Sequence, residues 1–472
     1  MSIPITPVAS KGRTLALRGR VLSFAGDPAQ EGERAVRFHS DGLVLVRDGL
    51  IEAVGEAQAM LDALQPGFPV VNHHPHLIMA GFIDPHLHLP QTQVIASYGA
   101  ELLEWLQRYT FPEETRYSSP RVASDASRWL LDTLAANGTT SGSVYCTTHP
   151  ASVDAFLGEA GRRGLRMLAG KVMMDRGAPD ALIDTPQRAH DETKAAIERW
   201  HGEGRLEVAI TPRFAPTSSE AQLEVAGALA RDYPDLPIQT HLSENAAELD
   251  YVAQLFPHDA DYTAVYERFG LVRPRALLGH CIHLNLRERR ALGEGGASAI
   301  FCPTSNLFLG SGLFDRNALG AAGVRIGIAT DIGGGTSYSM LRTLAEGYKV
   351  LALRGQKLPA FEAFHLASAG NAQAMGLSHV VGTLAPGLEA DITVLDSRAT
   401  RPLVRRMERV ETLEEELFAL MTLGDERATV ATYSGGRAIY ERADAPPERG
   451  SPARQNSAPL TSPGDGRGGS DQ

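Results

Sequence analysis

Cysteine is scarce. Cys146, Cys281 and Cys302 are the only three in 472 residues. They are too few and too scattered for a disulfide framework or a Cys-X-X-Cys metal site, which points to a reducing compartment, the cytoplasm. Net positive charge is missing as well. With a formal charge of −11 and an isoelectric point near 5.8, the chain has no basic balance to favour nucleic acid or an anionic membrane as a partner, whereas a small neutral ligand remains open. No apolar run reaches the ~20 residues a bilayer span needs, and the first twenty residues hold no signal-peptide core. No Gly-X-Gly-X-X-Gly turn follows a strand of the central region, which argues against a dinucleotide-binding open sheet. The expectation is a soluble intracellular protein with no nucleic-acid or membrane partner.

What is present is ordinary globular composition, 43% hydrophobic and 21% charged, in a chain long enough for one large domain and a satellite. From residue 14 to about 71, short apolar segments alternate with turns, and Asp48-Gly49 between two such segments is a hairpin signal. From residue 80 the rhythm becomes strand, loop, helix. Candidate strands cover 77–88, 139–146, 166–174, 206–214, 237–244, 276–283, 297–306 and 324–332. Helical stretches lie between them at 124–136, 186–201, 220–232 and 246–255, with 339–353 after the last. Eight such units predict an α/β fold, a distorted (β/α)8 TIM-like barrel. Beyond 381 strands return, at 390–395, 428–433 and 437–440, with Ser434-Gly435-Gly436 as a turn. The simplest arrangement has them complete the N-terminal part, giving a small β-sandwich-like domain built from both chain ends. The expected boundaries are 1–78 and 382–442 for the small domain, 79–381 for the barrel and 443–472 for a disordered tail. The charged run 405–416 reads as a solvated helix face.

The chemistry is concentrated at the expected C-terminal strand ends, where barrels of this kind carry their active sites. His86 and His88 stand one residue apart in Gly-Phe-Ile-Asp-Pro-His-Leu-His, so on a strand both point to one side, a geometry suited to zinc or iron. The fifth strand ends in His241-Leu-Ser-Glu244, the sixth carries His280 and the eighth Asp331. Singly, His86 and His88 read as a pair of surface or turn histidines, His241 or His280 as a hydrogen-bonded structural residue and Asp331 as a helix cap. Together, four histidines and an aspartate at one end of four strands are costly to bury unless they pair or hold a metal. Gly333-Gly334-Gly335 has no accompanying lysine and reads as close backbone packing beside Asp331 rather than a phosphate cradle.

These motifs resemble the amidohydrolase superfamily of metal-dependent hydrolases over roughly residues 10–440. Within it, Leu103-Glu-Trp-Leu106, Tyr109-Thr-Phe-Pro112, Thr211-Pro-Arg-Phe214, Cys302-Pro-Thr-Ser-Asn-Leu307 and the run from Thr330 to Met340 are similar to the members that act on guanine. One departure is Gly177, where that pattern has asparagine. The resemblance implies hydrolytic deamination of guanine to xanthine and ammonia, one zinc ion per chain held by His86, His88, His241 and Asp331, and a homodimer. Glu244, His280 and Asp331 take the catalytic roles. Gln91, Arg213 and Phe214 contact the substrate, with Trp105 or Phe111 as a further apolar face. A second metal is not expected: the superfamily's binuclear sites usually have a carboxylated lysine or a carboxylate at the fourth strand end, where this chain has Arg213, which cannot bridge cations. Lys171, on the third strand, reads as structural or salt-bridged. Deamination of a pterin, cytosine, 8-oxopurine or triazine is the first alternative, and a non-catalytic barrel assembly protein the second.

Overall fold

The structure, a computed structural model, describes residues 6–9, 12–98 and 101–443. The tail from residue 444 lies outside them, and every element below belongs to the unit Met1–Glu441. Four strands open the chain: β1 (Leu15–Phe24), β2 (Val36–Arg47), β3 (Leu50–Glu56) and β4 (Val70–Ala80). Asp48 and Gly49 turn β2 into β3 with φ of 51° and 80°, both left-handed as a two-residue hairpin turn requires.

The barrel begins with β5 (Phe82–His88) and β6 (Thr139–Tyr145). β7 (Arg166–Gly170) resumes after Lys171 as β8 (Val172–Met173), and β9 (Leu206–Val208) continues as β10 (Thr211–Pro212). β11 (Ile238–Leu242), β12 (Ala276–His280), β13 (Ser298–Phe301) and β14 (Arg325–Ile328) follow. Neighbours pair in parallel as β5-β6-β7-β9, β8-β10 and β11-β12-β13-β14, and a bridge between Ile210 and Ile238 joins the groups. The ring closes where Asp331 N–H donates to the His86 carbonyl at 3.0 Å and His88 N–H to the Ile332 carbonyl at 2.6 Å. Short, interrupted strands and this irregular seam are what make the barrel distorted. Helices between the strands start on identifiable signals. Proline occupies the first turn of Pro150–Arg163 and Pro186–Trp200, and Asn245 and Asn285 close capping boxes on Ala246–Leu255 and Leu286–Gly295.

After the barrel come β15 (Ile392–Leu395), β16 (Thr429–Ser434) and β17 (Arg437–Glu441). They join the first four in one seven-stranded sheet of order β17-β16-β15-β4-β1-β2-β3, so both chain ends build the small domain. Leu17, Val44, Ile78, Val394 and Ala431 share its core.

Several elements differ from the sequence expectation: the strands expected over 166–174 and 206–214 are each interrupted, and the one expected over 324–332 ends at Ile328. The single strand expected over 77–88 is two, because the chain changes sheets at Gly81, where a Cβ would lie 2.3 Å from the Thr140 hydroxyl. The strand expected over 297–306 stops at Phe301, and Pro303 starts the helix Pro303–Phe308, since its missing N–H and fixed φ suit a first turn. The charged run 405–416 is not one solvated face: helix Leu413–Leu423 buries Leu417, Leu420 and Met421, and Glu416 accepts two hydrogen bonds of 2.6 Å from Arg20.

Sheet and barrel are joined through a buried ion cluster. Glu389 accepts from Arg166 Nε at 2.7 Å and Arg205 Nε at 2.9 Å, while Arg205 also reaches Asp391 at 2.6 Å. Breaking a buried pair strands the remaining charges, so Glu389→Ala is expected to destabilise the protein by about 3–5 kcal/mol. A denaturation midpoint equal to that of the parent would show that the cluster contributes nothing.

Candidate active site

The parallel barrel brings the C-terminal ends of its strands to one rim, and the chain places its ionisable residues there. On β5, His86 and His88 face inward while Leu87 joins the hydrophobic core. His241 is the penultimate residue of β11, His280 ends β12, and Asp331 follows β14. Ser243, His280, Cys281 and Asp331 have φ of 52°, 70°, 52° and 51°, left-handed values that non-glycine residues adopt at a cost and that cluster at functional sites. Room for the cluster comes from missing side chains. A Cβ on Gly279 would lie 2.5 Å from His86 Cε1, and one on Gly333 would lie 2.4 Å from the Gln91 carbonyl. The glycine run beside Asp331 is therefore close backbone packing, as read from the sequence.

Distances within the cluster fit a single cation. His86 Nε2 and His88 Nε2 each lie 3.4 Å from Asp331 Oδ1, and His88 Nε2 lies 3.3 Å from His241 Nε2. A tetrahedron with zinc–ligand bonds of about 2.0–2.1 Å has edges of about 3.3–3.4 Å. His241 Nδ1–H donates to the Arg213 carbonyl at 2.7 Å, which turns the lone pair of Nε2 toward the cluster. Both nitrogens of His86 are buried without a hydrogen-bond partner, a condition that a metal–ligand bond would relieve at one of them, Nε2. His280 and Cys302 also come close to His86 and Asp331. They are otherwise engaged: burial pushes the Cys302 thiol pKa well up and it donates to the Ile300 carbonyl, while His280 faces Asn306 Oδ1 at 2.9 Å and Glu244 at 3.3 Å.

Electrostatics agree with neutral imidazoles and an ionised aspartate. Burial lowers the His88 pKa to about 3 and that of His241 well below its usual value, leaving both free of the proton that would compete with a metal. Burial works against ionised Asp331, yet the imidazoles of His86 and His88, each 3.4 Å away, hold its pKa well below the ordinary range. Glu244 goes the other way. Burial, then repulsion from Asp331, push it up to about 8, opposed by the Ser311 hydroxyl donating at 2.9 Å, which places a proton-exchanging carboxyl beside His280.

A narrow cleft opens over the cluster. Its wall includes Gln91, Trp105, Arg213 and Phe214, four of the five residues expected to contact substrate, together with His88, His241, Glu244, His280 and Asp331. Gly333 N–H donates to Gln91 Oε1 at 3.1 Å, which fixes the amide with its NH2 as the free donor end. Trp105 Nε1 is a buried donor without a partner among the described residues. Phe111 stands one layer back: it is not in the wall but lies beneath the Arg213 guanidinium, 5.3 Å from ring centre to carbon.

Several residues escaped the sequence reading. Glu114 is fully buried and accepts from Arg213 at 2.7 and 2.9 Å. Asp84 binds the hydroxyl and N–H of Thr330, next to Asp331. The Tyr145 ring stacks on His88 at 4.6 Å. Asn306 was visible only as part of a quoted motif. Lys171 is salt-bridged to Asp184 and, at 3.3 Å, to Glu192. The departure at Gly177 also has a reason: its φ is 67°, and glycine and asparagine are the residues that enter this region most readily. Gly279→Ala should push His86 out of line and weaken metal binding roughly 10–100-fold. Elemental analysis after dialysis would read this, and unchanged metal content would remove the packing argument.

Residues 77–439 match the model of the amidohydrolase family. The guanine deaminase of Escherichia coli K12 is 44% identical over 429 residues, 90% of this chain and 98% of that protein. The solved structure of the E. coli guanine deaminase superposes with a TM-score of 0.89, at 44% identity, covering 91% of this chain and 100% of the other. A guanine deaminase from C. acetobutylicum, solved with guanine bound in its active site, superposes with a TM-score of 0.81 at 27% identity, over 90% of this chain and 100% of that one.

Proposed function

The chain belongs to the amidohydrolase family, and we propose from this site that it deaminates guanine, giving xanthine and ammonia. The observation that carries the reading is the joint occurrence of a one-cation cluster and, in the same cleft wall, an arginine with donors to spare. Zinc, one per chain, is the proposed metal, held by His86, His88, His241 and Asp331. A homodimer in the cytoplasm completes the proposal. Among the described residues no helix is long and apolar enough to cross a membrane.

When bound, zinc supplies the Lewis acidity that makes water ionisable near neutral pH. Asp331 accepts the first proton from the attacking water. Glu244 then delivers protons to the ring nitrogen and to the departing amine, a task suited to a carboxyl whose pKa lies near the working pH. His280, between Glu244 and Asp331 at 3.3 and 3.8 Å, orients the attacked carbon and its incoming oxygen. Arg213 and the Gln91 NH2 group offer donors to the carbonyl and ring nitrogens of the base, and Phe214 with Trp105 supplies apolar wall against its faces.

Two substitutions test these roles. Glu244→Gln keeps shape and removes proton transfer, so the protein should retain its metal and lose roughly 10²–10⁴-fold in kcat; an unchanged rate would take Glu244 out of the mechanism. Arg213→Met should lower kcat/KM for guanine by orders of magnitude and erase its preference over adenine, whose amino group presents a donor where guanine has an acceptor. A methionine variant that kept the preference at near-parent efficiency would show that Arg213 does not read the carbonyl.

A further inference from the structure

Arg213 is buried, with 2% of its surface exposed, beside a cluster meant for a dication. An isolated guanidinium there would be costly and would repel the metal. Glu114, 0% exposed, answers it. Both Glu114 oxygens accept from one nitrogen, Arg213 Nη1, at 2.7 and 2.9 Å. Nε and Nη2 carry no hydrogen bond among the described residues, so their three N–H groups remain for a ligand. The helix Phe111–Thr115 supplies both contacts to the guanidinium, Phe111 below its plane and Glu114 at its end, three residues apart on one helical face. Arg213 is fixed at its backbone too, since its carbonyl accepts from His241 Nδ1 and from the Thr240 hydroxyl at 3.1 Å.

We infer that Glu114 is a positioning residue for substrate selection: it aims the free donors of Arg213 at the substrate carbonyl and cancels the arginine charge, so that the cleft selects a neutral base over an anion. The inference rests on Arg213 reading the carbonyl as proposed above. It has two separable parts, geometry and charge. Glu114→Gln keeps the size of the side chain, removes its charge and leaves one acceptor. Glu114→Asp keeps the charge and withdraws the carboxylate by one methylene.

The probes are guanine, 2-aminopurine, which has the reacting amino group but hydrogen in place of the carbonyl oxygen, and xanthine as an inhibitor above neutral pH, where it is an anion. Metal content is measured on each sample. In Glu114→Gln the preference for guanine over 2-aminopurine should fall roughly 10–100-fold, the range for losing a charge-assisted hydrogen bond, mainly through KM. Xanthine should inhibit more tightly, because the arginine charge is no longer matched. In Glu114→Asp the preference should fall while xanthine inhibition stays at the parent level. In Arg213→Met, adding Glu114→Gln should change the preference no further. A Glu114→Gln protein that keeps its preference, or that loses kcat on both bases alike with xanthine inhibition unmoved, would overturn the inference, because a role in packing alone gives that pattern. If Glu114→Gln does not fold, the aspartate variant decides: an unchanged preference would overturn the positioning role. An Arg213→Met protein that still prefers guanine would instead overturn the reading beneath it.

Discussion

The rest of this structure depends on the mutual burial of His86, His88, His241, His280 and Asp331. Buried together without a cation, these groups face one another with too few hydrogens to share, and His86 has no hydrogen-bond partner at either ring nitrogen. Such an arrangement is stable only if the scaffold holds it or an ion completes it. The parallel barrel meets the first condition by delivering these residues from the ends of four strands, His86 and His88 together from β5. The edge lengths of 3.3–3.4 Å among the four proposed ligands meet the second.

Much of the surrounding chain serves that constraint. The barrel closes through the backbone of two residues of the cluster, Asp331 N–H on the His86 carbonyl, so the seam of the fold and the buried His/Asp cluster are the same place. Asp84 ties down Thr330, the neighbour of Asp331, and Gly279 yields space to His86. Farther out, the Glu389 cluster fastens the sheet made from both chain ends to the N-terminal ends of β7 and β9, away from the rim where the chemistry lies. The Arg213 carbonyl accepts from His241 while the Arg213 side chain lines the cleft, so one residue touches both the histidine cluster and the cleft wall.

What was legible in the sequence was local. Asp48-Gly49 and Ser434-Gly435-Gly436 announced their turns, helix 220–232 was placed to the residue, and alternation put His86 and His88 on one face. The fold followed from counting strand and helix units, and the buried cluster of histidines with Asp331 from their positions at strand ends. What escaped depends on contacts far apart in the chain. Glu114 lies 99 residues from Arg213 and Asp84 lies 246 from Thr330, and nothing in the neighbourhood of either carboxylate marks its partner. Sequence alone does not distinguish a ring in the cleft wall, as at Trp105, from one behind it, as at Phe111. The strand expected over 77–88 was divided because a continuous apolar run does not say which of two sheets it pairs with.

The convergence of four side chains on one cation is the central claim, and anomalous diffraction from crystals of the zinc-loaded protein tests it most directly. The account predicts a single zinc peak per chain, bonded to His86, His88, His241 and Asp331 at about 2.0–2.2 Å. Two peaks, or one peak held by His280 and Cys302 in place of His88 and His241, would contradict it.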